Sequence, residues 1–343
     1  MIRKAKIAAL VLADSLGLNA LLLRSRWRRE RLLILCYHGI SLDDEHQWDP
    51  SLYMPPALLR ARLQELRDLG CTVLPLAEAL TRLDQGALPR AAVTITFDDG
   101  GYDFYQAAWP VLREFDCPAT VYLTTYYSGY NKPVFDPMAS YLLWKGRGQV
   151  LDLKEASLGP ITLDDPGRER AVRQLLAWAQ DKQPSASEKD ALLARLAGAL
   201  GVDYAELCRR RLLHIMTPAE AAELAAQGLD LQLHTHRHFI SRERGRFVQE
   251  IDDNLLRLRQ ISAVPARHYC YPEGTFFPEF PGWLRELGIE SATTCQPGIA
   301  GRRTDRFLLP RLVDTTNLTG YEFRAWLSGL ASLLPHRQNE TAG

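Results

Sequence analysis

The feature that most constrains this chain is an alternation between short apolar runs rich in β-branched residues and amphipathic stretches of about ten residues. The runs at 92–97 (AVTITF) and 119–124 (ATVYLT) have the composition of buried strands, and leucines recur at helical spacing between 56 and 69. Strands that alternate with helices of this length indicate parallel βα units. No short-period repeat is present, which disfavours a solenoid. The pattern therefore predicts an α/β fold built on a largely parallel sheet.

Residues 128–213 interrupt this alternation. They contain linkers rich in glycine and proline and two helical stretches, and we interpret them as a helical insertion. The alternation resumes at Thr217, so that one domain is expected to span 32–325. Residues 326–343 are predicted to form a polar C-terminal tail.

Residues 1–31 differ in charge from the rest of the chain. Eight of them are basic and two are acidic, although the 343 residues as a whole contain 41 Lys+Arg and 41 Asp+Glu. The apolar stretch at 7–23 is shorter than the roughly 20 residues of a bilayer span, and it contains Asp14 and Asn19. We expect an amphipathic helix with basic ends that either contacts a membrane surface or packs on the domain. A true span or a signal sequence is the less favoured alternative.

Composition excludes several classes of protein. A hydrophobic fraction of 46% and a charged fraction of 24% are typical of a globular chain and exclude a disordered one. Zero net charge, with a basic cluster that lacks interleaved aromatic residues beyond Trp27, disfavours nucleic acid as a partner. The six cysteines form no Cys-x-x-Cys pair and are expected to be buried free thiols. This usage favours the cytoplasm or the inner face of the cytoplasmic membrane, with an exported location left open.

Two groups of polar residues follow predicted strands. TFDDG at 96–100 ends one strand, where neighbouring side chains point in different directions, so that one carboxylate can bind a metal while the other moves a proton. His234 and His238 follow the strand at 229–233, and on a helical turn both imidazoles would reach one ion. The alternatives are a turn with capping carboxylates and solvated surface histidines. Two histidines and one carboxylate suit zinc in hydrolysis or iron(II) in an oxygenase.

TFDDG at 96–100, combined with His-Thr-x-x-His at 234–238, resembles the polysaccharide deacetylases, also called NodB-homology carbohydrate esterases. The similarity extends over roughly 32–127 and 214–314. It implies a distorted (β/α)7-type barrel that removes an acetyl group from an N-acetylated sugar, or less often an O-acetylated one. It also implies a divalent metal cofactor, with Zn²⁺ favoured over Co²⁺, Ni²⁺ or Mn²⁺. The expected partner is an acetylated glycan or a lipid-linked sugar.

The resemblance also assigns roles to individual residues. Asp98 would be the general base, and Asp99, His234 and His238 would hold the metal. The family's C-terminal Leu-x-His motif is missing, but LILCYH, which ends at His38, has the same pattern near the N-terminus. A closed barrel tolerates circular permutation, so this motif looks moved to the front and His38 would be the general acid.

Residues 270–274 (CYPEG) align with the family's Arg-x-Pro-Tyr-Gly-like motif, but Cys270 replaces the arginine and Glu273 the tyrosine. That arginine normally steadies the catalytic aspartate, and Arg311 is the candidate to supply it from another strand. Glu273, through its backbone N–H, and Tyr271 are candidates for contacts with the substrate or the oxyanion. These departures leave two alternatives, a carbohydrate-binding barrel without activity and an O-deacetylase.

Overall fold

The computed structural model describes residues 2–153 and 158–334. Its strands are β1 (Arg31–Tyr37), β2 (Gly39–Ile40), β3 (Tyr53–Met54), β4 (Thr72–Val73), β5 (Ala92–Phe97), β6 (Thr120–Leu123), β7 (Val150–Leu153), β8 (Leu158–Thr162), β9 (Asp230–Leu233), β10 (His268–Cys270), β11 (Ser291–Thr293), β12 (Ala300–Gly301) and β13 (Leu312–Val313). Its α-helices are α1 (Ile2–Ser15), α2 (Leu18–Arg24), α3 (Arg26–Arg29), α4 (Glu45–Trp48), α5 (Pro56–Asp68), α6 (Leu76–Gln85), α7 (Trp109–Glu114), α8 (Phe135–Lys145), α9 (Asp165–Lys182), α10 (Ala186–Ala199), α11 (Tyr204–Arg209), α12 (Pro218–Ala226), α13 (Arg244–Ile261), α14 (Phe280–Glu286) and α15 (Gly320–Ser328).

Parallel strands form a closed ring. The order is β11-β10-β9-β6-β5-β1, and each neighbouring pair in this run is parallel. β13 pairs in parallel with the other side of β1, and Leu309, just before it, forms a parallel bridge with Thr293 of β11. The segment 309–313 therefore joins both edges of the sheet. The predicted (β/α)7-type barrel is confirmed, and β4 and the antiparallel β12 extend it at β5 and β1.

The central strands are buried on both faces. All residues of β5 and all but the first residue of β1 are buried, which explains why both sequences are continuous apolar runs without alternation. Helices pack outside the strands; in α13, for example, Phe247, Ile251 and Leu258 face the core. Because the strands are parallel, their carboxyl ends meet at one rim of the barrel.

The insertion at 128–213 contains more than the predicted helices. Helices α8 to α11 are joined by an antiparallel hairpin of β7 and β8, with residues 154–157 outside the described part of the chain. The insertion has its own apolar cluster, which includes Phe135, Leu142, Leu175 and Leu196. The predicted helical insertion is present, and it also contains a hairpin that was not predicted. The alternating burial of Val150–Leu153 is the strand pattern that sequence reasoning overlooked.

The N-terminal segment forms three helices, where a single amphipathic helix was predicted over 1–31. Gly17 separates α1 from α2 and has φ of 73°, a left-handed conformation that favours glycine. Asn19 lies between the segment and the domain, since it donates to Asp14 and accepts from the Ser328 hydroxyl at 2.7 Å. The segment is thus packed on α15.

Among the described residues, no single helix has the length and apolar composition needed to cross a membrane. Lys6–Ser15 and Leu18–Arg24 meet those criteria only as a pair, and the pair is bent by 72°.

The polar tail predicted from residue 326 begins later than expected. α15 continues to Ser328, and Trp326, Leu327 and Ala331 are buried in the core. The boundary was misplaced because these apolar residues follow the helix pattern of 320–328. Residues 335–343 lie outside the described part of the chain.

Candidate active site

Polar side chains from three strand ends meet at one rim of the barrel. His38 follows β1, Asp98 and Asp99 follow β5, and the loop after β9 carries His234 and His238. In parallel βα barrels this carboxyl-terminal rim is where active sites lie. The structure therefore brings together the five residues that the sequence singled out for catalysis and metal binding.

Asp98 is held by Arg311. Arg311 Nη1 donates to Asp98 Oδ1 and Nη2 donates to Asp98 Oδ2, both at 2.7 Å. The guanidinium is fully buried and also donates to the Thr294 carbonyl and the Thr96 hydroxyl. A bidentate pair of this kind fixes the orientation of the carboxylate. The chain has a cysteine at position 270, where the family motif has an arginine. Arg311 makes the contact with Asp98 that was expected of that arginine.

The electrostatics of this pair decide the charge of Asp98. Burial alone would raise the pKa of its carboxyl group, because a charged group is poorly solvated in the interior. The positive charge of Arg311 outweighs burial and holds the pKa well below its usual range. Asp98 is therefore an anion at neutral pH, although it is only 3% exposed.

Asp99 has different neighbours. Its Oδ1 lies 3.2 Å from His234 Nε2 and 3.3 Å from His238 Nε2. This Oδ1 atom is shielded from solvent and has no hydrogen-bond partner among the described residues. Burial raises the pKa of Asp99. The imidazoles of His238 and His234 lower this pKa by more than burial raises it, so the net shift is downward. A buried carboxylate oxygen that faces two imidazole nitrogens has room for a cation between them.

The donor set fits a divalent cation. The three donor atoms of Asp99, His234 and His238 lie within 4.8 Å of one another. His234 Nδ1 lies 3.0 Å from the carbonyl oxygen of Cys270; a proton on Nδ1 donates to that oxygen and leaves the Nε2 lone pair free. Two imidazoles and one carboxylate are a common catalytic zinc set. Other clusters include Asp98, but its oxygens are paired with Arg311, whose charge repels a cation.

The loop from His234 to His238 is not the predicted helical turn. Thr235 and His238 have φ of 61° and 55°, in the left-handed region, and Asp99 on the facing strand end has φ of 69°. The imidazoles therefore converge through an irregular turn. Such a backbone is strained in residues other than glycine and persists only where its surroundings hold it.

Helix α13 supplies the groups that hold this loop. The fully buried Asn254 accepts from the His234 N–H at 3.0 Å and donates to the Thr125 hydroxyl at 2.9 Å. One turn earlier, Glu250 accepts from the Arg237 N–H at 2.7 Å. Sequence reasoning missed Asn254. The available signal was a polar residue at the position that continues the apolar stripe of α13.

His38 lies beside Asp98 at the rim of the barrel. Its Nε2 is 3.6 Å from Asp98 Oδ2, and its side chain is 18% exposed. Its Nδ1 is buried and has no hydrogen-bond partner among the described residues. An imidazole that is partly open to solvent can hold and release a proton. The motif near the N-terminus thus reaches the same site as the motifs after β5 and β9.

Of the two candidate substrate contacts in the segment after β10, Glu273 and Tyr271, only Glu273 is accessible. Glu273 is exposed with φ of 57°, and its backbone N–H makes no hydrogen bond within the described residues. Tyr271 is fully buried, its hydroxyl donates to the Phe307 carbonyl at 3.0 Å, and its ring packs against Phe276. The prediction of Tyr271 as a substrate contact is therefore wrong, because its side chain faces the core.

A parallel barrel with carboxylates and histidines at the carboxyl-terminal rim has the architecture of an enzyme. The family model described as Polysaccharide deacetylase matches residues 85–142, a range that contains both Asp98 and Asp99. This part of the chain is therefore similar to the polysaccharide deacetylase family.

Known proteins of this family resemble parts of the chain. YxkH of Bacillus subtilis, whose name assigns it to the polysaccharide deacetylases, is 38% identical over 94 residues, 27% of this chain and 32% of its own. Poly-β-1,6-N-acetyl-D-glucosamine N-deacetylase of Staphylococcus epidermidis is 28% identical over 109 residues, 29% of this chain and 38% of its own. The matches thus span about a third of these relatives.

A solved structure shares the fold over nearly the whole chain. Streptococcus pyogenes deacetylase PplD, solved in complex with acetate, superposes with a TM-score of 0.57 at 19% identity. The superposition covers 89% of this chain and 99% of PplD. At this identity the likeness establishes the fold.

Proposed function

We propose that this chain removes the acetyl group from an N-acetylated sugar of a polysaccharide or glycoconjugate by metal-dependent hydrolysis. The observation that carries the proposal is the geometry of the rim. There the Asp98 carboxylate held by Arg311, the donor atoms of Asp99, His234 and His238, and the His38 imidazole lie together. The name of the Staphylococcus epidermidis relative assigns N-deacetylation of a glucosamine polymer to that protein. An N-acetyl amide is therefore the first substrate class to test.

Asp98 is the proton acceptor in this proposal. Arg311 keeps it charged and aimed at the rim, next to the residue that holds the cation. A water beside Asp98 gives up its proton as its oxygen attacks the acetyl carbonyl carbon. A carboxylate with a depressed pKa is a weak base, and a divalent cation held by Asp99, His234 and His238 would acidify that water and polarise the carbonyl. Zn²⁺ is the favoured ion, and Co²⁺, Ni²⁺ or Mn²⁺ would use the same donors.

His38 completes the proton transfers. Its position near Asp98 lets the protonated ring donate to the amide nitrogen as the carbon–nitrogen bond breaks. The backbone N–H of Glu273 is the candidate donor to the developing oxyanion. The products are acetate and an amino sugar. Acid–base groups of this kind contribute about 10²–10⁴ in rate.

The direct test is acetate release from N-acetylglucosamine oligomers by the purified chain, with bound metal quantified in the same sample. The proposal predicts release that a chelator abolishes and added Zn²⁺ restores. An O-acetylated sugar assayed in parallel separates N- from O-deacetylation. Stoichiometric metal without acetate release from any oligomer would favour a carbohydrate-binding barrel instead.

We also propose that the N-terminal helices contact an anionic membrane surface. An apolar corner surrounds the bend between α1 and α2, and its most exposed members are Leu12, Leu16 and Leu21, at 60%, 68% and 67%. Val11 and Leu18 complete this corner. Five exposed large apolar side chains within eleven residues form a patch of the kind that soluble surfaces rarely present.

The opposite face of these helices is fixed to the domain, because Arg324 donates to Asp14 at 3.0 Å. The apolar corner therefore points away from the barrel. The exposed side chains of Arg24, Arg26 and Arg29 follow it, and positive charge beside an apolar patch complements anionic headgroups. Such contact would bring lipid-linked sugars near the site. The inner face of the cytoplasmic membrane is the proposed location, since all six cysteines are free thiols.

Sedimentation with neutral and anionic phospholipid vesicles tests this contact. The chain is expected to bind anionic vesicles, and a variant with Leu12, Leu16 and Leu21 changed to Ser is expected to lose binding. The matched control changes the exposed Leu52, Leu256 and Val264 to Ser and should bind as before. If the first variant instead turns a dimer into a monomer without altering vesicle binding, the corner covers a second copy and the membrane proposal fails.

A further inference from the structure

Three cysteines surround the Asp98–Arg311 pair: Cys36 in β1, Cys270 in β10 and Cys295 in the loop after β11. Cys36 Sγ and Cys270 Sγ each lie 3.5 Å from Asp98 Oδ2. Arg311 Nη2 lies 3.1 Å from Cys270 Sγ and 3.6 Å from Cys295 Sγ. The catalytic carboxylate proposed above is therefore packed against sulfur. None of these thiols has a part in the acid–base chemistry.

The three thiols differ in access and charge. Cys36 and Cys270 are fully buried, whereas Cys295 is partly exposed, in the loop that follows β11. Burial raises the pKa of the Cys36 and Cys270 thiols. A hydrogen bond from Cys36 lowers the pKa of Cys295 to about 6, and the positive charge of Arg311 also lowers it. Cys295 is therefore the most acidic of the three thiols, and both Cys295 and Cys36 lie beside the Asp98–Arg311 pair.

Gly274 lies directly against Cys295. It has φ of 68°, and a Cβ placed there would lie 2.8 Å from Cys295 Cβ. A side chain at this position would therefore cover Cys295 and strain the backbone. The glycine leaves the sulfur next to the exposed turn that carries Glu273.

We propose that Cys295 is an oxidant-reactive thiol in the active-site wall and that Cys36 is its resolving partner, so that a peroxide converts the two into a disulfide. Low-pKa, accessible thiolates beside a second thiol are the cysteines that peroxides oxidise first. Cys36 Sγ lies 3.5 Å from Asp98 Oδ2, and Cys295 Sγ lies 3.6 Å from the Arg311 Nη2 that donates to the same oxygen, so both sulfur atoms lie against one buried ion pair. The inference concerns the thiols alone and does not depend on the proposed deacetylation.

The chemistry balances with hydrogen peroxide as the oxidant. The Cys295 thiolate attacks one peroxide oxygen, the O–O bond breaks, and hydroxide leaves to give a sulfenic acid. The Cys36 sulfur then attacks the Cys295 sulfur, the S–O bond breaks, and hydroxide takes the thiol proton to form water. Overall, one thiolate, one thiol and one peroxide give one disulfide, one water and one hydroxide. The two sulfur atoms lose two electrons, which the peroxide gains.

The first test is alkylation of the native chain with limiting iodoacetamide, followed by peptide mass spectrometry. Cys71, Cys117 and Cys208 are internal controls, because they are partly exposed and burial raises the pKa of each. Cys295 is expected to react at least about ten times faster than these controls. Equal or slower labelling of Cys295 would overturn the proposal. This readout requires no variant and no activity.

The second test treats the native chain with hydrogen peroxide and maps disulfides without reduction. A Cys36–Cys295 link that dithiothreitol reverses is expected. Cys36→Ser should leave a trappable sulfenic acid on Cys295, and Cys117→Ser should behave as the native chain. A Cys270–Cys295 link, or no disulfide in the native chain, would overturn the assignment of Cys36. If the proposed function also holds, acetate release should fall and recover with the disulfide.

Discussion

Asp98 and Asp99 are adjacent in sequence, yet their surroundings differ in kind. Asp98 is 3% exposed, and the buried Arg311 guanidinium neutralises both of its oxygens. The Asp99 side chain is 40% exposed, and its Oδ1 faces the imidazole nitrogens of His234 and His238. One carboxylate is thus paired with a positive charge of the protein itself, and the other faces two metal-type imidazole donors.

This difference explains how one short motif serves two tasks. A base must be charged and fixed without binding the metal itself, and Arg311 provides both conditions for Asp98. A metal ligand must offer free lone pairs, which Asp99 retains. The predictions below test this division, from the largest expected effect to the smallest.

Removing the proton acceptor should have the largest effect. Asp98→Asn is expected to lower the rate of acetate release by about 10²–10⁴, because the amide cannot accept the proton from water. The rate is measured where circular dichroism shows the variant folded. Asp230→Asn, at the opposite end of β9, is the matched control and should stay close to the native rate. A near-native rate for Asp98→Asn would remove Asp98 from the mechanism.

Removing the partner of each carboxylate should affect stability unequally. Arg311→Met leaves the buried Asp98 charge unpaired and should lower the free energy of unfolding by about 3–5 kcal/mol. His238→Ala should lower it by less than about 1 kcal/mol, because its side chain is 35% exposed and lies in a loop. Urea unfolding of both variants measures the difference. Equal losses would show that the two carboxylates do not differ as described.

Added Zn²⁺ should stabilise the folded chain by binding at Asp99, His234 and His238. At a free Zn²⁺ concentration about 100 times the dissociation constant, the free energy of unfolding should rise by about 2.7 kcal/mol. The rise should vanish in His238→Ala, which has lost one of the three donors. Thermal unfolding with and without Zn²⁺ provides the measurement. An undiminished rise in that variant would place the cation elsewhere.

Asn254 tests whether the loop after β9 must be held in place. Asn254→Ala removes the acceptor of the His234 N–H and should weaken Zn²⁺ binding by about 10–100-fold. The acid–base groups stay in place, so at saturating Zn²⁺ the turnover number should recover. Leu256→Ala, on the exposed face of the same helix, is the control. Loss of turnover that saturating Zn²⁺ does not restore would contradict a purely positioning role.

The features that were predictable from sequence are those that local pattern determines. Buried parallel strands are continuous apolar runs, and polar residues directly after them must lie at the barrel rim, so Asp98, Asp99, His38 and His234 were found. Arg311 was only a candidate, because its partner lies 213 positions away and their contact depends on closure of the barrel.

The features that were missed depend on distant contacts. The left-handed Thr235 is stable only because Asn254 and Glu250 of α13 hold its loop, and no local rule predicts that conformation. The bend at Gly17 likewise reflects packing of the N-terminal helices on α15. The residue types were enough to predict the chemistry of the site. Its backbone geometry could be described only once the fold was known.

Calorimetric titration of Zn²⁺ into the metal-free native chain, Asp98→Asn and Asp99→Asn tests the central claim most directly. The native chain and Asp98→Asn should each bind one ion, because Arg311 keeps Asp98 away from the metal. Asp99→Asn should show binding weakened beyond detection, because the carboxylate is one of three donors. Native-like binding by Asp99→Asn, or its loss in Asp98→Asn, would contradict the assignment of the two carboxylates.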